Sequence, residues 1–361
     1  MKMHLRNLGA GLVAALWLGL AAFAWFGGSE EISLTERRPL AQFPEISGKA
    51  ILDGSFMEDF GDYALDQFPG RDAFRTVKSL THRYGLGQKD NNEIYVEAGH
   101  AAQLEYPLDE SSLDRTVSQL EAVYETYLEP GNCRVYTAVI PDKGYFLAES
   151  NGYPAMDYEA VFDRFRQLPW GQYVDVASIL SIDDYYRTDS HWRQERIGPV
   201  AEALADAMGV TALAGTAQPV ERPFYGVYYG MAALPMEPDT MFLVESEVLD
   251  DCAVYDYVTD SWGSVYDRQR LTGRDMYEVY LGGAQSLLRI ENPKAKTDRE
   301  LVIFRDSYGS SLAPLLVQDY QAVTLVDIRY IPVQQLGKYV DFTDKDVLMI
   351  YSTTVLNRKL I

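Results

Sequence analysis

Histidine is scarce in this chain. Four occur in 361 residues, His4, His82, His100 and His191, so chemistry that rests on an imidazole has few places to be. Cysteine is scarcer still, at two, Cys133 and Cys252. One pair in a body of this size is not a disulfide framework. The two are able to pair in an oxidising compartment; Cys133 opens an apolar strand, and a buried free thiol there is the equal alternative. Neither has Cys or His neighbours at zinc spacing, so no metal site is expected. Positive charge is also in deficit. Lys and Arg number 32 against 53 Asp and Glu, a formal net charge of −21. A nucleic-acid partner needs a basic surface and is excluded, as is a polybasic hold on anionic lipid. The acidic residues are scattered, as on a solvated surface. Phosphate-cradling glycine loops and dinucleotide fingerprints are absent, and no cofactor is expected.

What is present sets compartment and class. Hydrophobic residues make up 47% of the chain, which rules out a disordered protein. Lys2, His4 and Arg6 precede a 19-residue apolar stretch from Leu8 to Phe26, long enough to span a bilayer as a helix. Positive charge before it and Glu30-Glu31 after it predict a cytoplasmic N-terminus and an extracytoplasmic body. Ala22-Phe23-Ala24 has the look of a signal-peptidase site, but the length and Trp25-Phe26 favour an uncleaved anchor. The expected organisation is an anchor at 1–28, a linker at 29–54 and one domain at 55–361.

Periodicity predicts helices over Ser55–Phe68 and Arg71–Tyr84, the latter stopped by Gly85. A further helix, Ser111–Leu128, is expected with Ser111 or Ser112 as cap. A strand over Arg134–Ile140 and a helix over Tyr158–Leu168 follow, then a helix from about Gln194 to Met208. Residues 218–290 are rich in tyrosine, glycine and short β-like runs and read as an antiparallel insertion or lid. Alternation returns with strands at Glu300–Phe304, Ala322–Val326 and Val347–Ile350. Strands separated by helices predict an α/β fold, a mostly parallel sheet with helices on both faces.

The chemistry-bearing cluster is Thr188-Asp189-Ser190-His191-Trp192. Only His191 sits two residues from an aspartate, and a carboxylate beside an imidazole fixes its tautomer and stabilises the imidazolium. Ser307 follows the strand ending at Phe304, at a strand-to-helix turn where an α/β sheet keeps its ligands. Its backbone N–H there is able to stabilise an oxyanion, and Gly309 gives the turn conformational room. Each piece alone has a plain alternative: Asp189 as cap of the helix after Trp192, and Ser307 as a helix cap.

Taken with other segments, the cluster resembles the DHHW family and the related alginate O-acetyltransferase-type proteins of the SGNH-hydrolase superfamily. The matching pieces are Phe68-Pro69-Gly70-Arg71-Asp72, Val139-Ile140-Pro141-Asp142-Lys143, Thr188–Trp192, Phe224-Tyr225-Gly226 with Tyr228-Tyr229, Arg274-Asp275-Met276-Tyr277, Asp306-Ser307-Tyr308 and Asp327-Ile328-Arg329-Tyr330. The resemblance implies a three-layer α/β/α SGNH-like fold in permuted motif order. It implies Ser307, His191 and Asp189 as a catalytic triad, with O-acetyl transfer or deacetylation on a cell-envelope glycan, often beside a membrane-bound O-acyltransferase. The chain departs from it at Ser190, where the name expects histidine, and at Gly282-Gly283-Ala284, where an asparagine is expected. The C-terminal carbohydrate-binding module of some relatives is not expected. Lys143, Tyr308 and Arg329 stand as second-rank substrate contacts, with surface or salt-bridge roles equal for Lys143 and Arg329. The alternative to an acetyl-ester enzyme is a non-catalytic anchored scaffold in a polysaccharide-modifying complex. A serine peptidase is disfavoured because no peptidase-type turn surrounds Ser307.

Overall fold

The computed structural model describes residues 11, 14, 15, 17–19 and 29–358. The expected membrane segment, Leu8 to Phe26, lies largely outside them; among the described residues no helix is long and apolar enough to cross a membrane. The chain divides into two compact units, Met1–Asn92 with Tyr229–Pro235, and Glu93–Tyr228 with Met236–Ile361.

In the first unit a short β-pair, Ile32–Ser33 with Arg38–Pro39, precedes helices Gly48–Asp53, Ser55–Asp66 and Arg71–Leu80. The stretch expected as an extended linker therefore carries structure of its own. Ser47 supplies the reason for its helix, accepting the Ala50 N–H at 3.1 Å. Phe43 stands edge-on against Phe56, Phe60 and Tyr63, with centroids 6.4, 6.0 and 5.3 Å away. Glu36 and Asp66 gather arginines: Arg38 reaches Asp66 at 2.8 Å, Arg75 reaches Glu36 at 3.2 Å, and Arg71 pairs with Glu36. Gly70, at φ 70°, makes the left-handed turn that starts the helix carrying Arg71 and Arg75.

The second unit is built on eight strands: β1 (Arg134–Ile140), β2 (Gln172–Tyr173), β3 (Ala253–Asp256), β4 (Ser261–Gly263), β5 (Leu287–Glu291), β6 (Glu300–Arg305), β7 (Ala322–Val326) and β8 (Asp346–Ser352). Their order in the sheet is β4-β3-β5-β7-β6-β8-β1-β2. From β7 to β2 all pairs are parallel; β5, β3 and β4 extend that edge antiparallel. The fold is thus mixed α/β with a mostly parallel sheet. Parallel strands covered on both faces read as continuous apolar runs, and β7 and β8 are buried along their whole length. One face of β1, Tyr136, Ala138 and Ile140, packs with the helix Gly198–Met208. The other, Val135 and Val139, packs with helices Glu110–Val123 and Tyr158–Arg166.

The strands of the 218–290 region divide between two places. Thr216–Phe224 and Asp239–Glu245 pair in a small antiparallel sheet, while β3, β4 and β5 belong to the main sheet itself. Local chemistry explains other departures. The helix expected at Ser111 is capped by Asp109, whose carboxylate accepts the Ser112 N–H at 3.0 Å and also the Ser111 hydroxyl. The helix expected from Gln194 is interrupted before Gly198, where Pro199 has no N–H to continue it backwards. Both cysteines are free, and the Cys133 thiol donates to the Phe342 carbonyl at 2.8 Å.

Buried Glu105 meets Arg358 at 2.8 Å. Burial outweighs the guanidinium and pushes its pKa up to about 7 from an ordinary 4.5. Between those values the folded protein holds a proton that the unfolded chain has lost, so stability falls as pH rises through the window. Glu105→Gln is expected to remove a loss on the order of 3 kcal/mol between pH 4.5 and 7. Urea denaturation at the two pH values measures it, and an unchanged loss in the variant would assign it to another group.

Candidate active site

The serine is placed by an aspartate. β6 ends at Arg305, and buried Asp306 then binds two backbone N–H groups: Tyr308 at 3.0 Å and, from the end of β8, Ser352 at 2.7 Å. Asp306 therefore caps the short helix Tyr308–Leu312, and the Ser307 hydroxyl makes no capping bond. Ser307 stands where the chain reverses its winding, β7 lying on one side of β6 and β8 on the other. That switch point is where open α/β sheets bind ligands. Gly309 serves a different purpose from the one expected. Its φ is not left-handed; a Cβ there would lie 2.6 Å from Cβ of Arg305, so it is small for packing.

The histidine is placed by a tight hairpin. Tyr185 bridges Trp192, Tyr186 N–H bonds the His191 carbonyl at 3.1 Å, and Arg193 N–H bonds the Asp184 carbonyl at 2.8 Å. His191 Nε2 lies 2.7 Å from Ser307 Oγ, and Nδ1 lies 2.6 Å from Asp189 Oδ1. Asp189 is acceptor-only when ionised, so Nδ1 carries the proton and Nε2 is left to accept from the serine hydroxyl. Asp189 also accepts the N–H groups of Val227 at 2.9 Å and His191 at 3.1 Å. Its side chain is 1% exposed and that of His191 14%, so the line opens outward only at the imidazole and serine end.

Every residue of the motif has a task. Thr188 binds Asp239 through both its N–H and its hydroxyl, at 2.8 and 2.6 Å, and its Oγ1 accepts the Gly226 N–H at 2.9 Å. The Ser190 carbonyl accepts the Tyr308 hydroxyl at 2.6 Å. Trp192 donates its indole N–H to Ser311 at 2.8 Å. Tyr277 stacks on the His191 ring at 3.8 Å and 11°, and bonds Ser311 at 2.8 Å.

The second-rank residues each have partners inside the protein. Lys143 is buried; Nζ donates to the carbonyls of Tyr186 at 2.7 Å and Arg187 at 3.2 Å. Burial pushes its pKa down to about 7, against the pull of Asp189, Asp239 and Asp142. It holds the backbone that enters the histidine hairpin. Tyr308 is likewise buried and committed to Ser190. Arg329 is forked onto Asp327 at 2.8 and 2.6 Å. Lys143 and Tyr308 therefore spend polar atoms on the backbone around the histidine, and Arg329 is held by a carboxylate. The Gly282-Gly283-Ala284 turn is entered through Leu281, and Leu281, Gly282 and Gly283 all have positive φ.

Sequence reasoning missed Asp239, Asp306 and Tyr277 as functional supports. Asp306 and Tyr277 sat inside matched segments without a role assigned. Asp239 carried no local signal, since its partners at 187 and 188 are some fifty residues away.

Fold and site together define an α/β protein with serine, histidine and aspartate in one hydrogen-bonded line at the carboxyl edge of a mostly parallel sheet. No protein-family model matches the chain, and no curated protein matches it. Solved structures do. A DHHW family protein from Eubacterium siraeum superposes with a TM-score of 0.58 at 21% identity, over 74% of this chain and 93% of that one. Bacillus cereus PatB1 superposes with a TM-score of 0.58, both with a sulfonyl adduct (14% identity, 74% of this chain and 97% of that one) and without it (15%, 74% and 98%). The mixed α/β fold with a mostly parallel sheet, anticipated from the sequence, is present, and the chain shares it with the DHHW protein and PatB1.

Gly226 gives the sharpest test of this packing. A Cβ there would lie 2.2 Å from Cβ of Asp189 and 2.4 Å from its Cα. Gly226→Ala is expected to cost about 2–4 kcal/mol through backbone displacement, read by chemical denaturation. Wild-type stability in the variant would show that the hairpin is not held against the segment that carries Gly226.

Proposed function

We propose that this chain is an SGNH-like, three-layer α/β/α serine enzyme that transfers or removes acetyl groups on a cell-envelope polysaccharide. One observation carries the reading: the continuous line from Asp189 through His191 to Ser307, at 2.6 and 2.7 Å. Those lengths meet the geometric requirement for an activated nucleophile. Ser307 Oγ attacks the acetyl carbonyl as His191 Nε2 takes its proton. Asp189 stabilises the imidazolium, and the Ser307 N–H donates to the tetrahedral oxyanion. The protonated imidazole then delivers its proton to the leaving alcohol oxygen. A sugar hydroxyl or water resolves the acetyl-serine, with His191 again as base.

The apolar segment Leu8–Phe26, with its flanking charges, supports a membrane-anchored body outside the cytoplasm. A membrane-bound O-acyltransferase is the partner that fits this reading, as the supplier of acetyl groups. The motif resemblance and the likeness to the DHHW protein and PatB1 support it at the level of fold.

The test is acetyl-ester turnover by the full-length protein, with covalent labelling by a sulfonyl fluoride. Ser307→Ala and His191→Ala are each expected to lower kcat by about 10³–10⁶, and Asp189→Asn by about 10⁴. Labelling is expected at Ser307 and lost in Ser307→Ala. A wild type that neither turns over acetyl esters nor takes the label would overturn the enzyme and leave the scaffold.

A further inference from the structure

We infer that four aromatic side chains at the antiparallel edge of the main sheet, Trp262, Tyr255, Tyr257 and Tyr339, form a track for an uncharged polysaccharide strand. The track is separate from the Ser307 site. It rests on the proposed function only for its purpose, which is to hold the acceptor polymer.

The rings follow one another in contact. Trp262 and Tyr255 are 5.1 Å apart at 48°, Tyr255 and Tyr257 4.8 Å at 77°, and Tyr257 and Tyr339 6.1 Å at 76°. Register explains the first step, since Trp262 on β4 pairs with Tyr255 on β3 and cross-strand partners share a face. The ends of the row stand in water, Trp262 at 58% exposure and Tyr339 at 47%. Tyr257 packs against the core on its inner side; surface aromatics scattered singly are ordinary, and a connected row with both ends open is more than that packing requires. β4 is moreover an edge strand, a position that proteins commonly protect with charge or proline. Here its central residue is tryptophan.

The shape and charge of the row select the occupant. It is one ring wide, whereas a stable protein interface covers roughly 800 Å² per partner. Ring faces accept the apolar faces of sugar rings, and polar groups beside them meet hydroxyls. Asp256 and Asp260 lie in the β3–β4 hairpin, the Tyr255 hydroxyl donates to Asp260, and Arg289, opposite Tyr255 on β5, is paired with Glu300 at 2.9 Å. At the hairpin end of the row the fixed charge is negative; Lys338 stands beside Tyr339 at the other end, and on a chain of net −21 a polyanionic polymer is repelled overall. β4 lies four strand positions from β6. At ordinary strand spacing that is about 19 Å, a span that a polymer bridges and a single sugar does not.

Affinity electrophoresis of the full-length protein in detergent tests the track. The gels contain hydroxyethyl cellulose, galactomannan or polygalacturonate. At least one neutral polymer is expected to retard the wild type and Ser307→Ala alike, and polygalacturonate is expected not to. Trp262→Leu keeps an apolar side chain but loses the ring, and is expected to bind roughly five- to tenfold more weakly; Trp262→Phe keeps most of the retention. No retardation by either neutral polymer, equal retardation of Trp262→Leu, or preference for the polyanion would each overturn the track. Retardation does not depend on turnover, so a protein inert toward acetyl esters that is still retarded would sink the enzyme and leave the track standing.

Discussion

The buried carboxylate of Asp189 is the constraint on which the site depends. An ionised carboxylate taken out of water is tolerated only where donors replace its hydration. Backbone N–H groups of Val227 and His191 are among those that bind Asp189. The imidazole binds it as well and is thereby turned so that its other nitrogen faces Ser307. Orientation of the histidine is therefore set by main chain rather than by long side chains with rotamer freedom. Thr188, bound to Asp239, fixes where that main chain enters, and Gly226 lets the neighbouring segment come close enough to donate.

The serine half answers to the sheet. Asp306 ties the turn after β6 to the end of β8, and Asp142, just beyond β1, is bound by Thr353, which follows β8. Around the line stand Tyr277, Tyr308 and Trp192, all buried, with their polar atoms bonded to Ser190, Tyr308 or Ser311. Aromatic walls of this kind keep water from the Asp189 side of the imidazole and strengthen the electrostatic contact there.

Much of this was legible in the sequence, and the limits have physical causes. The central strands were read from unbroken β-branched and aliphatic runs, because both their faces are buried. Asp189, His191 and Ser307 stood out because histidine is rare and because each sits at a loop or turn. Sequence shows Lys143 and Tyr308 as polar groups but not the backbone carbonyls that they bind. Asp239 was invisible for the opposite reason: an acidic residue in a short β-like run has no local mark of the backbone it will bind. The 218–290 region was legible as antiparallel in texture, yet pairing partners distant in sequence decided that β3, β4 and β5 would extend the main sheet.

His191 and Ser307 are 116 positions apart, and Asp142 and Thr353 are 211. No partial chain emerging from the N-terminus contains both halves of the site until β6 has been made, and the tie from Asp306 to Ser352 waits for β8. Contacts of such high sequence separation form late because loop closure precedes their reward. The Ser307 hydroxyl is thus unaligned with His191 until the sheet is complete. The line from Asp189 through His191 to Ser307 is a property of the finished sheet alone, and no shorter stretch of the chain holds it.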